Sequence, residues 1–163
     1  MNIVFIGMPG CGKTVVSQRV AELLKLPWFD SDWEIEKAEG MGIPEIFAQK
    51  GEDYFRWAET ACITMLMSFK DAVIAVGGGA VERNHEIIGH NSEVIYLRRS
   101  INSIWASLEP GARPLIRDAD SLHALYRRRR GIYEAMSDFT VENDGGIDDA
   151  ARKVIAFIAA KRQ

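Results

Sequence analysis

The sequence has little of what marks secreted, membrane or nucleic-acid-binding proteins. It contains only two cysteines, Cys11 and Cys62, which suit a reduced cytoplasmic protein better than a disulfide-bonded scaffold. No apolar run approaches the roughly 18 residues of a transmembrane helix, and the N-terminus has no basic segment that would begin a signal peptide. The formal net charge of −3 argues against nucleic acid as the main partner. We therefore expect a cytoplasmic protein that binds neither membranes nor nucleic acid.

The rest of the composition is that of a globular protein. Apolar residues make up 47% and charged residues 26% of the 163 positions. A chain of this length can bury a proper core, and it contains no internal repeat or low-complexity linker. We predict a single domain over residues 1–163 and expect it to act as a monomer.

Short apolar runs alternate with segments of helical periodicity along the chain. The predicted strands cover residues 3–6, 28–30, 72–76, 93–97 and 139–141. The predicted helices cover residues 15–25, 33–39, 43–50, 52–69, 82–90, 100–108, 121–136 and 147–161. This alternation predicts an α/β fold in which helices cover both faces of a parallel sheet.

The first strand leads into a phosphate-binding motif, GMPGCGKT, at residues 7–14. Its glycines let the backbone turn so that successive N–H groups point into one concavity, where they bind phosphate oxygens. The N-terminus of the following helix favours negative charge at the same place. Lys13 is then placed to reach the β- and γ-phosphates, and the Thr14 hydroxyl to ligate Mg²⁺. The motif predicts a nucleotide-binding protein.

Cys11 lies inside this motif, and two interpretations of it are open. Backbone N–H groups at the start of the helix can lower the pKa of its thiol. Alternatively, Cys11 is only a small side chain that fills a variable position of the loop.

Residues suited to catalysis also follow the next two predicted strands. Asp30 and Asp32 follow the second strand, and a run of three glycines, 77–79, follows the third. Because ligands bind at the carboxyl ends of parallel strands, these segments and the phosphate loop should share one crevice. One carboxylate can hold Mg²⁺ through water, while the other accepts the proton of an attacking hydroxyl. The competing interpretations are that Asp30, Asp32 or Ser31 only caps the next helix and that the glycines form only a flexible turn.

Two arginines suit an anionic substrate. Arg56 has Glu59 one helical turn on, and an arginine fixed by a carboxylate can pair bidentately with a substrate carboxylate. The alternative is a surface ion pair of little energetic value. Arg113 lies in a loop rich in glycine and proline, where it can close over the phosphates as part of a lid. The run Arg127–Arg130 spans a full helical turn, so most of it faces solvent.

Together these segments resemble the shikimate kinase family. The matching stretches, in chain order, are GMPGCGKT, FDSDWEIE, IFAQKGEDYFRWAE, VGGGAV, ARPLI and RRGIYEAM. They keep the family's order and approximate spacing over almost the whole chain. The phosphate loop alone indicates only a large superfamily, whereas the D-S-D, G-E-x-x-F-R-x-x-E, GGG and RPL motifs together are far more specific.

The resemblance implies a reaction and a fold. The reaction is ATP-dependent phosphorylation of the 3-hydroxyl of shikimate, a step on the route to chorismate and the aromatic amino acids. The fold is a three-layer α/β/α P-loop kinase with a five-stranded parallel sheet of the nucleoside-monophosphate-kinase type. It carries a substrate-binding helical segment at about residues 32–60 and a mobile lid at about residues 108–120.

The resemblance also implies roles for individual residues. The residues implied to bind ATP are Gly10, Cys11, Gly12, Lys13, Thr14, Val15 and Arg113. Those implied to bind shikimate are Asp32, Arg56, Gly77, Gly78, Gly79 and Arg129. Thr14 and Asp30 are implied to hold Mg²⁺, and Lys13, Asp32 and Arg113 are implied to be catalytic.

One departure from the family pattern concerns the carboxylate ligand. Arg129 stands four residues before Tyr133, as in the family's R-x-P-x-Y motif. Here Gly131 replaces the proline, so Arg130 remains an alternative to Arg129.

A second departure concerns the nucleotide base. Family members usually have an arginine seven residues before the lid arginine, where it stacks on adenine, and this chain has Ala106 there. Either the neighbouring Trp105 stacks on the base instead, or the affinity and selectivity for nucleotide are weaker. Trp105 packing in the core is a third possibility. The lid tip also carries Glu109 in place of the usual basic residues.

Two other functions stay open at this point. The first is a kinase of another small hydroxy acid, of the gluconate type, against which the F-R-x-x-E and GGG motifs argue. The second is a catalytically idle nucleotide-binding or regulatory module, which the altered lid suggests. An idle module has no need of the full catalytic set, which is intact here: Lys13, Thr14, Asp30, Asp32 and Arg113.

Overall fold

Five parallel strands form the central layer of the fold in the computed structural model, which describes residues 1–162. The strands are β1 (Asn2–Ile6), β2 (Trp28–Asp30), β3 (Val73–Ala75), β4 (Ser92–Arg98) and β5 (Phe139–Glu142). Their order across the sheet is β2-β3-β1-β4-β5, and every neighbouring pair is parallel. The predicted five-stranded parallel sheet is confirmed.

Helices connect the strands and cover the sheet. Within the described residues they are α1 (Lys13–Leu24), α2 (Ser31–Glu39), α3 (Ile43–Lys50), α4 (Glu52–Met67), α5 (Val81–Gly89), α6 (Ile101–Ser107), α7 (Ala119–Met136) and α8 (Ile147–Lys161). α1 packs against α8, while α5 packs against α4 and α7, which gives the sheet a helical layer on each face. Across residues 1–162, no helix combines the length and apolar character needed to cross a membrane.

The central strands are buried because helices lie on both sides of them. Residues 3–6 of β1 and all of β3 are buried, and each is a run of apolar residues without polar alternation. This is the pattern of a parallel sheet that is covered on both faces. The register places Val4 beside Ile74 on one side and Val94 on the other, in the middle of the core.

Helix capping explains where two boundaries differ from those predicted. α1 begins at Lys13, two residues before the stretch of apolar periodicity, because Gly12 adopts a φ of 95° that ends the loop and lets the helix begin there. α7 begins at Ala119, also two residues early, because Asp118 and Ser121 form a capping box.

The parallel topology brings the functional segments to one edge of the sheet. The phosphate loop follows β1, α2 follows β2, the glycine run follows β3, and α6 with the lid follows β4. All of these lie at carboxyl ends of strands, where open α/β sheets bind their ligands.

Candidate active site

The phosphate loop encloses a concavity into which its lysine is turned. Gly10 and Gly12 have φ angles of 78° and 95°, which other residues adopt only with strain. Nζ of Lys13 donates hydrogen bonds to the carbonyl oxygens of Gly7 (2.8 Å) and Met8 (2.9 Å). Phosphate oxygens can replace these carbonyls as acceptors, because hydrogen bonds between charged partners are stronger than those to a neutral carbonyl.

Two side chains that the sequence analysis missed hold the carbonyl groups of this loop. Nδ2 of Asn143 donates to the carbonyl oxygen of Cys11 (2.8 Å), and Nη1 of Arg99 donates to that of Gly10 (3.1 Å). These bonds fix the orientation of two successive peptide groups. Arg99 directly follows β4 and Asn143 directly follows β5. Their position at carboxyl ends of strands is the sequence signal that would have found them.

Cys11 and Val15 do not direct side chains into the concavity. The Cys11 side chain is fully buried beneath the loop, with Sγ 2.9 Å from the place a Cβ on Gly7 would take. This favours its interpretation as a small filling residue. Val15 is 46% exposed. The predicted contribution of either residue to ATP binding would therefore come from its backbone.

Asp30 joins the phosphate loop to α2. Its Oδ2 accepts a hydrogen bond of 2.6 Å from Oγ1 of Thr14, and its Oδ1 accepts from the N–H groups of Asp32 (2.9 Å) and Trp33 (3.4 Å). Asp30 is thus the N-cap of α2, so the capping interpretation is correct for Asp30 and wrong for Asp32 and Ser31. Asp30 has the extended backbone that a cap requires because it ends β2. Its second oxygen remains beside the Thr14 hydroxyl.

The Asp32 carboxylate, which is not used for capping, lies in the crevice. Its Oδ1 stands 2.7 Å from the place a Cβ on Gly77 would take, and its Oδ2 lies 3.5 Å from Nη1 of Arg113. Burial, and then the charge of Asp30, raise the pKa of Asp32 to about 6, and Arg113 opposes the rise. A carboxylate with such a pKa can take a proton from a hydroxyl and release it near neutral pH.

Close contacts, and not positive φ angles, explain why the run after β3 consists of glycines. A Cβ on Gly78 would lie 2.6 Å from Cδ of Pro9. A Cβ on Gly79 would lie 2.6 Å from Nη2 of Arg56 and 2.7 Å from Nη2 of Arg129. Gly77 and Gly79 are buried, so the run forms a packed floor of the pocket, which argues against the flexible-turn interpretation.

Arg56 lies on α4 with its guanidinium group above this floor. It is 7% exposed, and its Nη1 donates to Oε1 of Glu59 over 2.7 Å. Glu59 is itself only 1% exposed, so the alternative of a surface ion pair is wrong. Burial raises the pKa of Glu59, and the charge of Arg56 opposes that rise. The pair holds a guanidinium group in place inside the pocket.

Arg129 reaches the same floor from α7. It is 2% exposed, and its Nε donates to Oε1 of Glu82 over 2.5 Å. Arg130 instead lies on the exposed face of α7 and pairs with a glutamate of its own helix. The hydroxyl of Tyr133 donates to the carbonyl oxygen of Gly78 over 2.6 Å and ties α7 to the floor. The placement favours Arg129 over Arg130 as the carboxylate ligand.

Trp105 lies on α6 beside the lid. It is 45% exposed and lines a cavity together with lid residues such as Glu109 and Pro114, so the interpretation that it packs in the core is wrong. α6 flanks the phosphate loop, since a Cβ on Gly10 would lie 3.2 Å from side-chain atoms of Ile104. Stacking of Trp105 on the base, and a weaker affinity and selectivity for nucleotide, both stay open.

All six residues predicted to bind shikimate, together with Arg113, line one pocket. The pocket is lined by Asp32, Arg56, Gly77, Gly78, Gly79, Arg113 and Arg129. Thr14 and Asp30 line an adjoining cavity that shares Asp32 and Arg113 with it. The arrangement combines a phosphate loop, a carboxylate of raised pKa and two buried guanidinium groups, which is a geometry suited to phosphorylating a hydroxylated acid.

Comparison with known proteins places this arrangement in a family. The family model for shikimate kinase matches residues 9–159 of the chain. The chain belongs to the shikimate kinase family. A shikimate kinase from Ruegeria pomeroyi is 37% identical over 169 aligned positions, which cover 99% of this chain and 86% of the relative. The predicted family is confirmed.

Solved structures agree with this membership of the shikimate kinase family. A shikimate kinase from Acinetobacter baumannii in complex with shikimate has a TM-score of 0.94 at 35% identity, covering 98% of this chain and 93% of the other. A gluconokinase from Sinorhizobium meliloti has a TM-score of 0.63 at 18% identity, with coverage of 98% and 91%. The second likeness is one of fold alone, so it gives no support to the gluconate-type alternative.

Proposed function

We propose that this chain transfers the γ-phosphoryl group of ATP to the 3-hydroxyl of shikimate, the activity after which its family is named. The observation that carries the proposal is the pair of guanidinium groups, those of Arg56 and Arg129, that meet above Gly79 in a pocket shared with Asp32. Shikimate offers a carboxylate to the arginines and ring hydroxyls to the aspartate. Bidentate pairing of guanidinium with carboxylate gives both affinity and orientation.

The spacing of these groups suits a small ring. The arginines stand over Gly79 and Asp32 over Gly77. Two residues of chain span at most about 7 Å, so both sets of groups lie near enough to contact one small ring with a carboxylate at one end. Fixing both ends of the ring presents one hydroxyl to the phosphate loop in a defined orientation.

Positively charged side chains are proposed to approach the transferring phosphoryl group from two sides. Lys13 and the loop N–H groups are proposed to cradle the phosphates from below, and Arg113 to approach from the lid. Phosphoryl transfer is catalysed mainly by positioning and by positive charge that stabilises the transition state. Asp32 is proposed to orient the acceptor hydroxyl and take its proton.

We further propose that Mg²⁺ accompanies ATP at Thr14 and Asp30. The hydroxyl and the carboxylate lie 2.6 Å apart, and both are oxygen ligands. Mg²⁺ in kinase sites is bound through one or two carboxylates together with substrate phosphates and water, so this small donor set fits. When bound, Mg²⁺ neutralises charge on the phosphates.

Two further proposals concern the oligomeric state and the cellular location of the enzyme. We propose a monomer as the active form, because Asp32, Arg113 and both buried arginines of one chain already line one pocket. Cys11 and Cys62 are both free thiols, as in a reducing compartment, which supports a cytoplasmic location.

An acceptor screen tests the proposed reaction. ADP release is measured in a coupled assay with ATP, Mg²⁺ and one acceptor at a time, namely shikimate, gluconate or a nucleoside monophosphate. We expect turnover with shikimate to exceed that with any other acceptor by at least about 100-fold. Turnover with gluconate or a nucleotide alone would reassign the acceptor. ATP binding without turnover of any acceptor would favour the idle-module alternative.

Arg56→Ala is expected to raise the KM for shikimate about 100-fold, because truncating a buried charged partner costs about 2–4 kcal/mol and each 1.4 kcal/mol is about tenfold. The KM for ATP should stay within about twofold. Steady-state kinetics with each substrate varied in turn makes the comparison, with Arg130→Ala as a control that removes an exposed arginine. Equal rises in both KM values would contradict the assigned role.

The value of kcat/KM for shikimate is expected to fall as the pH drops through about 6. The pKa of Asp32 is raised to about 6, so its basic form is lost below that pH. The fall should approach about tenfold per pH unit, while the shikimate carboxyl itself titrates lower, near about 4. Rates at saturating ATP between about pH 5 and about pH 8 give the profile. A flat profile over this range would remove Asp32 as the base.

A further inference from the structure

Glu82 is absent from the predicted site, yet it contacts Arg129 directly. It is the second residue of α5 and follows Gly79 by three positions. Its Oε1 accepts hydrogen bonds from Nε of Arg129 (2.5 Å) and from Nη2 of Arg128 (3.0 Å). The Glu82 side chain is 26% exposed, whereas that of Arg129 is 2% exposed. Glu82 therefore lies behind Arg129, between the pocket and the surface.

The bond to Nε decides which edge of Arg129 faces the pocket. A guanidinium group can meet a carboxylate through its Nε side or through the end that carries both Nη atoms. Glu82 occupies the Nε side, and Nη2 lies 2.7 Å from the place a Cβ on Gly79 would take. Arg129 also lines the pocket, so its Nη2 side, and not its Nε side, is the one available to pair with a ligand.

The negative charge of Glu82 also offsets the positive charges of the arginines at the floor of the pocket. Arg56 and Arg129 bring two positive charges to one place above Gly79, where burial strengthens their repulsion. Arg56 is paired with Glu59, and Glu82 is the corresponding partner of Arg129. Burial opposes ionisation of Glu82, but the hydrogen bonds from Arg129 and Arg128 outweigh it and lower its pKa. Glu82 is therefore ionised and opposes the repulsion.

We propose that Glu82 is a positioning residue for the acceptor, because it holds Arg129 so that its two Nη groups meet the substrate carboxylate beside Arg56. The inference rests on the proposed function, since it needs an acceptor with a carboxylate. Glu82 itself lies behind the arginine and acts only through it.

Steady-state kinetics of two Glu82 variants test this role. Glu82→Ala should raise the KM for shikimate about tenfold and leave that for ATP within about twofold. Glu82→Gln keeps an oxygen acceptor for Nε, so its KM for shikimate should return to within about threefold of the wild-type value. Arg128→Ala removes the exposed arginine that shares Glu82 and should resemble the wild type. If Glu82→Ala does not fold, Glu82→Met keeps the side-chain length without the oxygen and replaces it.

A double-mutant cycle separates positioning from a merely structural role. If Glu82 acts through Arg129, Glu82→Ala should change the KM for shikimate no further in an Arg129→Ala background. An unchanged KM in the single variant, a parallel rise in both KM values, or a full effect in the Arg129→Ala background would each overturn the inference. These results need a wild type that phosphorylates shikimate, whereas a wild type without that activity would overturn the proposed function itself.

Discussion

Asp32→Asn is expected to lower kcat by about 10²- to 10⁴-fold, the range that a positioned general base contributes. Asparagine keeps the size of the side chain and its hydrogen bonding to the acceptor but cannot take a proton. Asp32 lies between Gly77 and Arg113 in the pocket, and its pKa of about 6 suits proton transfer near neutral pH. The rate is measured by coupled ADP release at saturating ATP and shikimate.

The control for this substitution is Glu34→Gln, which neutralises another acid of α2 that lines a different cavity. It should leave kcat within about twofold. Stability gives a second readout. The folded-state pKa of Asp32 lies above its ordinary value of 3.8, so ionisation at neutral pH weakens the fold, and Asp32→Asn should raise Tm by a few degrees. A fall in kcat of less than about tenfold would contradict the role as base.

Arg113→Ala is expected to lower kcat by about 10²- to 10³-fold and to change both KM values little. Arg113 is an exposed lid residue whose guanidinium group lies 3.5 Å from Asp32. A positive charge that reaches the phosphoryl group as charge spreads over its oxygens stabilises the transition state more than the bound substrates. Steady-state kinetics with each substrate varied at saturation of the other makes the comparison.

Arg117→Ala is the matched control, because it removes another exposed arginine of the same loop. It should leave kcat near the wild-type value. Arg113→Lys should give an intermediate kcat, since lysine supplies a point charge without the planar fork of arginine. An unchanged kcat in Arg113→Ala would remove Arg113 from the mechanism.

The fold could be predicted from the sequence because its signals are local. Apolar runs such as 72–76 mark buried strands, and the segments between them have helical periodicity. Boundaries were less predictable where side chains compete for the same backbone groups. Any of three residues, Asp30, Ser31 and Asp32, is able to cap α2. Asp30 is the cap because β2 ends at this residue.

The site could be predicted where one residue type is demanded at one position of a motif. Lys13 and Thr14 in the phosphate loop are of this kind, whereas the role of Asp32 is implied only by the resemblance to the family. Side chains that support others could not be predicted in the same way. Glu82 acts through a contact with Arg129 across 47 positions of chain, and no local pattern encodes such a contact. The place of Asn143 directly after β5 marks it as a candidate, but its partner lies 132 positions away, and the sequence does not say which group it contacts.

The sequence also could not decide whether Arg129 or Arg130 is the carboxylate ligand. Adjacent arginines on a helix differ by about 100° in direction, but the sequence does not say which direction faces the sheet. The structure buries Arg129 and leaves Arg130 at the surface.

The proposed transfer to the 3-hydroxyl of shikimate is most directly tested by NMR analysis of the product formed from ATP, Mg²⁺ and shikimate, with Lys13→Ala run in parallel. We expect one phosphate monoester, attached at the 3-oxygen of shikimate, and its loss in Lys13→Ala. Phosphorylation at another hydroxyl would contradict the placement of the acceptor by Asp32 and the two arginines. Unmodified shikimate beside an enzyme that still binds ATP would contradict the account as a whole.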